Sequence, residues 1–207
     1  MENPGIMNTK KCILFDLGGI FVPDSTKLLN REIARYVGIS EGEMAERWTG
    51  ALPELFTGSL KIIDFYENQF GSSYDPNVLL QMHLEIYTKG FKMDPSMLEL
   101  LQKLNLNYTT ACLTNTEIEV SEINNELGLY ESFHYKFLST EMHMMKPNKD
   151  IFISAIQKLD ASSEDVIFID DKEENIKTGS LLGLKTILFE STDHTKEMIS
   201  RYLGYSK

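Results

Sequence analysis

Four short stretches of this chain carry side chains that could do chemistry: Asp16, Thr114-Asn115, Lys146-Pro147 and Asp170-Asp171. Asp16 follows the apolar run Cys12 to Phe15 and precedes Leu17, Gly18 and Gly19. A short apolar run of this kind reads as a buried strand. A carboxylate at its C-terminal end lies where open α/β sheets bind ligands. The glycines let backbone approach whatever that carboxylate holds. Thr114-Asn115 follows a strand-like run from Tyr108 to Leu113, and Asp170-Asp171 follows one from Val166 to Ile169. If the strands are parallel, their C-terminal ends share one edge, and these groups converge. Pro147 biases Lys146 away from helix, which holds its ammonium in a loop ahead of a helix.

Three carboxylates on one edge cannot all stay ionised and unpaired; they need a cation, or one must be protonated. Hard oxygen ligands with open positions suit Mg²⁺, which keeps waters and takes phosphate oxygens. Lys146 would supply a point charge for a phosphate and Thr114 a hydroxyl. Helix N-termini after these loops would supply backbone N–H groups. A carboxylate beside such a site is a competent nucleophile, forming an aspartyl-phosphate that water then hydrolyses. Each stretch also has a plainer reading: a turn start at Asp16, a strand-end turn at Thr114, a solvated lysine, an N-cap pair at Asp170-Asp171. All four standing at the ends of elements favours a site.

The elements around them follow from pattern. Between Asp24 and Gly90 the signals are helical, with no strand. Asp24-Ser25 starts one helix, and Ser40 with Glu43 makes a capping box for a second. A third runs from Leu60 to Phe70, and Asp75-Pro76 opens a fourth. From Asp94-Pro95 onward helices and strands alternate, with strands also at Tyr135 to Leu138 and Leu184 to Phe189. Alternation of this kind means parallel pairing with right-handed crossovers. The expected fold is α/β: a doubly wound parallel sheet, residues 1–22 and 91–207, with a helical insertion at 23–90.

The chain has 207 residues and a net charge of -11, with 42% hydrophobic and 25% charged residues. That is the composition of a globular protein with one sizeable core. The acidic surface argues against nucleic acid and anionic membranes as partners. No run is long enough to span a bilayer, and the polar start, Met1 to Lys10, has no apolar signal core. The two cysteines, Cys12 and Cys112, sit in strand-like runs and read as reduced core residues. A cytoplasmic location is expected, and oligomeric state is left open.

The order Asp16, Thr114, Lys146, Asp170-Asp171 resembles the haloacid dehalogenase-like hydrolase superfamily. Phe15 to Ile20 is similar to its first motif, Leu113 to Thr116 to the second, and Lys146-Pro147 to the third. Phe168 to Asp171 with Asn175 is similar to the fourth. The inserted helices resemble the family's cap of the first type. The resemblance implies a Rossmann-like core and a Mg²⁺-dependent phosphatase of a small phosphorylated metabolite. Asp16 is then the nucleophile, and Thr114 with Asn115 binds the phosphoryl group. Lys146 neutralises Asp16 and phosphate. Asp16, the Gly18 carbonyl, Asp170 and Asp171 form the metal site.

Most family phosphatases carry a second Asp two residues after the nucleophile, as general acid and base; here that residue is Gly18. Glycine keeps the carbonyl and loses the acid. The form Asp-Leu-Gly-Gly resembles a branch of sugar-phosphate phosphatases. Without that acid, the expected substrates are esters with acidic leaving groups, such as aryl or anomeric sugar phosphates, unless Asp24 or a cap residue substitutes. Two other functions stay open: a metal-independent 2-haloacid dehalogenase, and a catalytically weak phosphate-binding regulatory protein. Arg47, Trp48, Lys61, His83 and His143 are candidates to contact substrate.

Overall fold

β1 (Cys12–Phe15) is the middle strand of a five-stranded parallel sheet, in the order β3-β2-β1-β4-β5. The computed structural model describes residues 11–204; residues 1–10, the polar start among them, and 205–207 lie outside it. β2 (Thr109–Thr114) and β4 (Val166–Asp170) flank β1, with β3 (Tyr135–Leu138) and β5 (Lys185–Leu188) at the edges. The chain steps outward from β1 to β2 to β3, then crosses to β4 and β5. Strand order therefore reverses at β1, the switch point where doubly wound sheets form a ligand crevice.

All four residues of β1 are buried. Successive side chains point to opposite faces, so each face has its own core. Ile13 and Phe15 join Leu101, Ile167 and Ile199 on one side, beneath α5 (Pro95–Asn105) and α10 (Thr192–Leu203). Cys12 and Leu14 join Phe152, Ala155 and Phe168 on the other, beneath α8 (Lys149–Leu159). Covering on both faces is what an all-parallel sheet requires. β2 and β4 each run one residue further than their apolar patterns suggest, because ladder pairs form at Thr114 with Leu138 and at Asp170 with Leu188. β5 is shorter than expected at both ends. The pattern also misses a short helix, α7 (Ser139–Met142), and a 3₁₀ turn at Ser163–Asp165.

Between β1 and α5 lie α1 (Thr26–Val37), α2 (Glu41–Phe56), α3 (Ile62–Phe70) and α4 (Pro76–Gly90). They share an apolar cluster that includes Ile33, Met44, Trp48, Phe65 and Leu79. Ser40 caps α2 by accepting from the Glu43 N–H at 3.1 Å, a contact worth about 1 kcal/mol. The reciprocal half of the box does not form. The Glu43 carboxylate instead accepts from Arg47, one turn on, at 2.6 Å. Asp75 and Asp94 each cap a helix with Pro at its first turn. α6 (Ile118–Glu126) receives the inserted helices: Val120 enters their cluster, and Tyr87 donates to Asn124 Oδ1 at 2.6 Å. α9 (Glu173–Leu181) follows β4. Among the described residues no helix is long and apolar enough to cross a membrane.

Candidate active site

Register brings the first two acids together. Phe15 pairs with Ile169, so the next residues, Asp16 and Asp170, leave neighbouring strands side by side. The Asp16 N–H donates to the Ile169 carbonyl at 2.9 Å. Lys146 arrives between them from the loop before α8. Its Nζ lies 2.9 Å from Asp16 Oδ1 and 2.7 Å from Asp170 Oδ2. All three residues are buried, with Lys146 only 2% exposed. Such charges are tolerated inside a protein only when paired and hydrogen-bonded.

Asp170 is fully engaged. Its oxygens accept from Lys146 Nζ, from Asn175 Nδ2 at 2.9 and 3.0 Å, and from the Lys172 N–H at 2.9 Å. These contacts fill the lone-pair positions of a carboxylate. Asp171 is different. It is partly exposed, and its buried Oδ1 has no partner. Asp16, Asp170 and Asp171 each offer an oxygen within 4.8 Å of the others. Burial holds the Asp16 carboxyl above the ordinary range against the pull of Lys146, and Asp170 adds to the rise. Asp171 is raised by burial and then by the charges of Asp16 and Asp170. Burial works against the ammonium of Lys146, but the two carboxylates outweigh it and leave its pKa raised. Three acids with one ammonium leave an excess of negative charge, and an oxygen without a partner stands beside it. With Asp170 taken up by Lys146, Lys172 and Asn175 rather than free to ligate as the sequence suggests, Asp16 and the open oxygen of Asp171 are the donors that fit a hard divalent cation.

The glycines after Asp16 have separate reasons to be there. Gly19 sits at φ +76°, and a Cβ on it would run into the Asp171 carboxylate. A Cβ on Gly18 would meet nothing within 4 Å.

A cavity of about 130 Å³ opens above these residues. Asp16, Gly18, Thr114, Lys146 and Asp171 line its floor, while Trp48, Phe56, His83 and Tyr87 line it from the inserted helices. Thr114 is buried there, and its hydroxyl makes only a long 3.4 Å contact with the Asn115 carbonyl. Asn115 lines the cavity, but its amide is committed elsewhere. Its Nδ2 donates to the Lys146 carbonyl and its Oδ1 accepts from the Lys146 N–H, both at 2.9 Å. Instead of leaving its amide for a phosphoryl group, Asn115 clamps the loop that carries Lys146.

Of the candidates to contact substrate, Trp48 and His83 line the cavity; Arg47, Lys61 and His143 do not. Arg47 is held by Glu43 and by Gln69 at 3.1 Å, Lys61 is exposed ahead of α3, and His143 Nδ1 meets the Thr57 carbonyl at 3.0 Å. Each is drawn to a nearer partner or to solvent. Sequence pattern missed Tyr87 and Glu117. Tyr87 was legible only as an apolar helix position, and Glu117 as an acid before a helix.

The haloacid dehalogenase-like hydrolase family model matches residues 10–183. The chain belongs to that family. Flavin mononucleotide hydrolase 1 of Arabidopsis thaliana is 27% identical over 117 residues, which cover 56% of this chain and 48% of that protein. The chain therefore spans about half the length of that relative. Glyceraldehyde 3-phosphate phosphatase of Methanopyrus kandleri is 22% identical over 193 residues, covering 86% of this chain and 82% of that protein. Among solved structures, a haloacid dehalogenase-family enzyme of Bacteroides thetaiotaomicron, in complex with magnesium and inorganic phosphate, superposes with a TM-score of 0.68. It is 21% identical, covering 86% of this chain and 93% of that one. At that identity the superposition shows a shared fold. The chain carries the Rossmann-like core of that family.

Proposed function

We propose that this hydrolase is a Mg²⁺-dependent phosphomonoesterase of a small phosphorylated metabolite, a sugar phosphate by preference, acting through an aspartyl-phosphate on Asp16. The observation that carries this reading is the placement of Lys146 between Asp16 and Asp170, with the unpartnered oxygen of Asp171 beside them. Asp16 lies at the floor of the cavity, paired with an ammonium that orients its carboxylate and attracts a dianion. Thr114 offers a hydroxyl to the phosphoryl oxygens. Asp16, Asp171 and the Gly18 carbonyl would hold Mg²⁺, with Asp170 anchoring Lys146 beside them. When bound, the ion offsets the charge on phosphoryl oxygens.

The inserted helices, residues 23–90, act as a lid that excludes water over the floor, hinged near Val22-Pro23 and Gly90. The relatives that carry phosphatase and phosphate-ester names support the reaction class, and the small cavity suits a small ester. A metal-independent dehalogenase leaves the acidic cluster unexplained, and a purely regulatory protein leaves the buried Asp16–Lys146 pair without a task.

The test is phosphate release across sugar, nucleotide and amino-acid phosphates, with chloride release from 2-haloacids in parallel. Phosphate release that chelator stops and Mg²⁺ restores is expected, with Asp16→Asn folded and inactive. Chloride release without metal would replace this reading with the dehalogenase. Asp16→Asn retaining more than a few per cent of wild-type turnover would end covalent catalysis at that residue.

A further inference from the structure

Phosphoryl transfer to Asp16 expels an alkoxide unless a proton reaches it, and Gly18 has none to offer. On the proposed phosphatase reading, we infer that Glu117 is the general acid and base of this reaction. It stands at the N-terminal cap of α6, three residues beyond Thr114, and lines the cavity that holds Asp16 and Lys146.

Its surroundings place it at the seam between core and inserted helices. From the core it feels Lys172 in the β4–α9 loop and Glu119 on its own helix, and from the start of the insertion it feels Asp24. From the inserted helices, Tyr66 of α3 and Tyr87 of α4 feel its charge. His83 of α4 lines the same cavity. A phosphoryl group at Asp16 and Lys146 occupies the floor, so its leaving group must extend toward the four side chains opposite. Glu117 lines the same cavity from the N-terminal cap of α6.

The other proton carriers in the cavity have different engagements. Asp24 is exposed, and its Oδ1 accepts from the Thr26 N–H at 2.8 Å. Asp171 belongs to the metal set. His83 is buried, its pKa is driven down to about 3 by burial, and its Nδ1 meets the Tyr66 hydroxyl at 2.9 Å. Tyr87 donates to Asn124, and burial pushes its pKa up to about 12. Burial chiefly, then Glu119 and Asp24, push the Glu117 pKa up to about 7, which suits a group that must give a proton and take one back near neutrality.

The steps balance. Asp16 carboxylate attacks phosphorus, the ester P–O bond breaks, and the leaving oxygen takes the Glu117 proton, giving alcohol, aspartyl-phosphate and Glu117 carboxylate. Glu117 then takes a proton from the water that attacks phosphorus. Hydrogen phosphate leaves, and Asp16 carboxylate and the Glu117 acid are restored.

The test compares wild type and Glu117→Gln on p-nitrophenyl phosphate, whose leaving group needs no proton, and on glycerol 3-phosphate, whose leaving group does. In kcat/KM, which reports the steps up to aspartyl-phosphate, Glu117→Gln should lose about 10²- to 10⁴-fold on the alkyl ester and little on the aryl ester, while the slower water step, common to both, lowers kcat on each. The wild-type rate on the alkyl ester should fall as pH rises through about 7, where Glu117 ionises, and the variant should lack that limb. Equal loss of kcat/KM on both esters would assign Glu117 a structural or binding role and overturn the inference. So would an alkyl-ester rate within a few-fold of wild type. A wild-type alkyl-ester profile that stays flat through pH 7 overturns it without any variant. Wild type that releases phosphate from neither ester overturns the phosphatase reading itself, and Glu117's role with it.

Discussion

Asn115 grips Lys146 by the backbone from both sides, its amide donating to the Lys146 carbonyl and accepting from the Lys146 N–H, each at 2.9 Å. Asn115 follows β2 directly and Lys146 lies in the loop before α8, so this one side chain ties the ammonium's loop to the sheet. The clamp fixes where the side chain starts, and the two carboxylates fix where its Nζ ends.

Asn115→Ala should therefore cost catalysis through Lys146. Two backbone groups lose their partner, which destabilises the protein by about 1–3 kcal/mol for each one left buried and unsatisfied. Turnover should fall at least tenfold, while added Mg²⁺ still shifts the thermal midpoint. Wild-type kcat in a folded Asn115→Ala would show that Lys146 needs no such clamp.

Gly18 and Gly19 should respond in opposite ways. Gly19→Ala forces a left-handed residue, about 1–2 kcal/mol, and pushes on the Asp171 carboxylate. Its melting temperature should drop, and its stabilisation by Mg²⁺ should shrink. Gly18→Asp has room for its side chain and should melt close to wild type. Combined with Glu117→Gln, it should restore part of the lost rate on alkyl esters. A Gly19→Ala protein that melts and binds metal as wild type does would refute the close-approach argument.

His83 makes stability sensitive to acid. Burial lowers its folded pKa to about 3 from an ordinary 6.5. The unfolded chain binds the proton first, so the contribution of neutral His83 is complete above pH 6.5 and is lost as pH falls toward 3. The slope from this residue approaches about 1.4 kcal/mol per pH unit. Urea titrations from pH 7 to pH 4 should show that slope in wild type and lose it in His83→Gln. An identical pH dependence in both proteins would remove His83 as the cause.

Lid motion should be visible through Trp48, the single tryptophan, which lines the cavity and packs against Phe65 and His83 at 5.1 and 5.2 Å. Adding inorganic phosphate with Mg²⁺ should change its emission, and Asp16→Asn with Lys146→Met should abolish the change. Emission indifferent to saturating phosphate would count against closure of residues 23–90.

Much of this protein is legible in its sequence. Buried strands announce themselves by apolar runs, and Asp16, Thr114 and Asp170 stand at the ends of three of them. A parallel α/β alternation obliges those ends to share an edge, so convergence of the acids followed from local pattern and chirality alone. Helix starts at Ser40, Asp75 and Asp94 were visible because capping is a contact between residues two or three apart. What pattern could not decide was where side-chain atoms go once distant segments meet. Asn115 carries a donor and an acceptor suited to phosphate or to backbone, and only the arrival of Lys146 settled which. Arg47 carries a charge suited to an anion, but Glu43 lies one turn away and takes it. The absence of an acid at Gly18 was plain in the sequence. That Glu117 faces the same cavity was not, because its place depends on how α6 meets α3 and α4 across the seam. Helix caps are set by short-range chemistry; the last residue of a strand and the partners of a polar side chain are set by whichever segment the tertiary fold brings near.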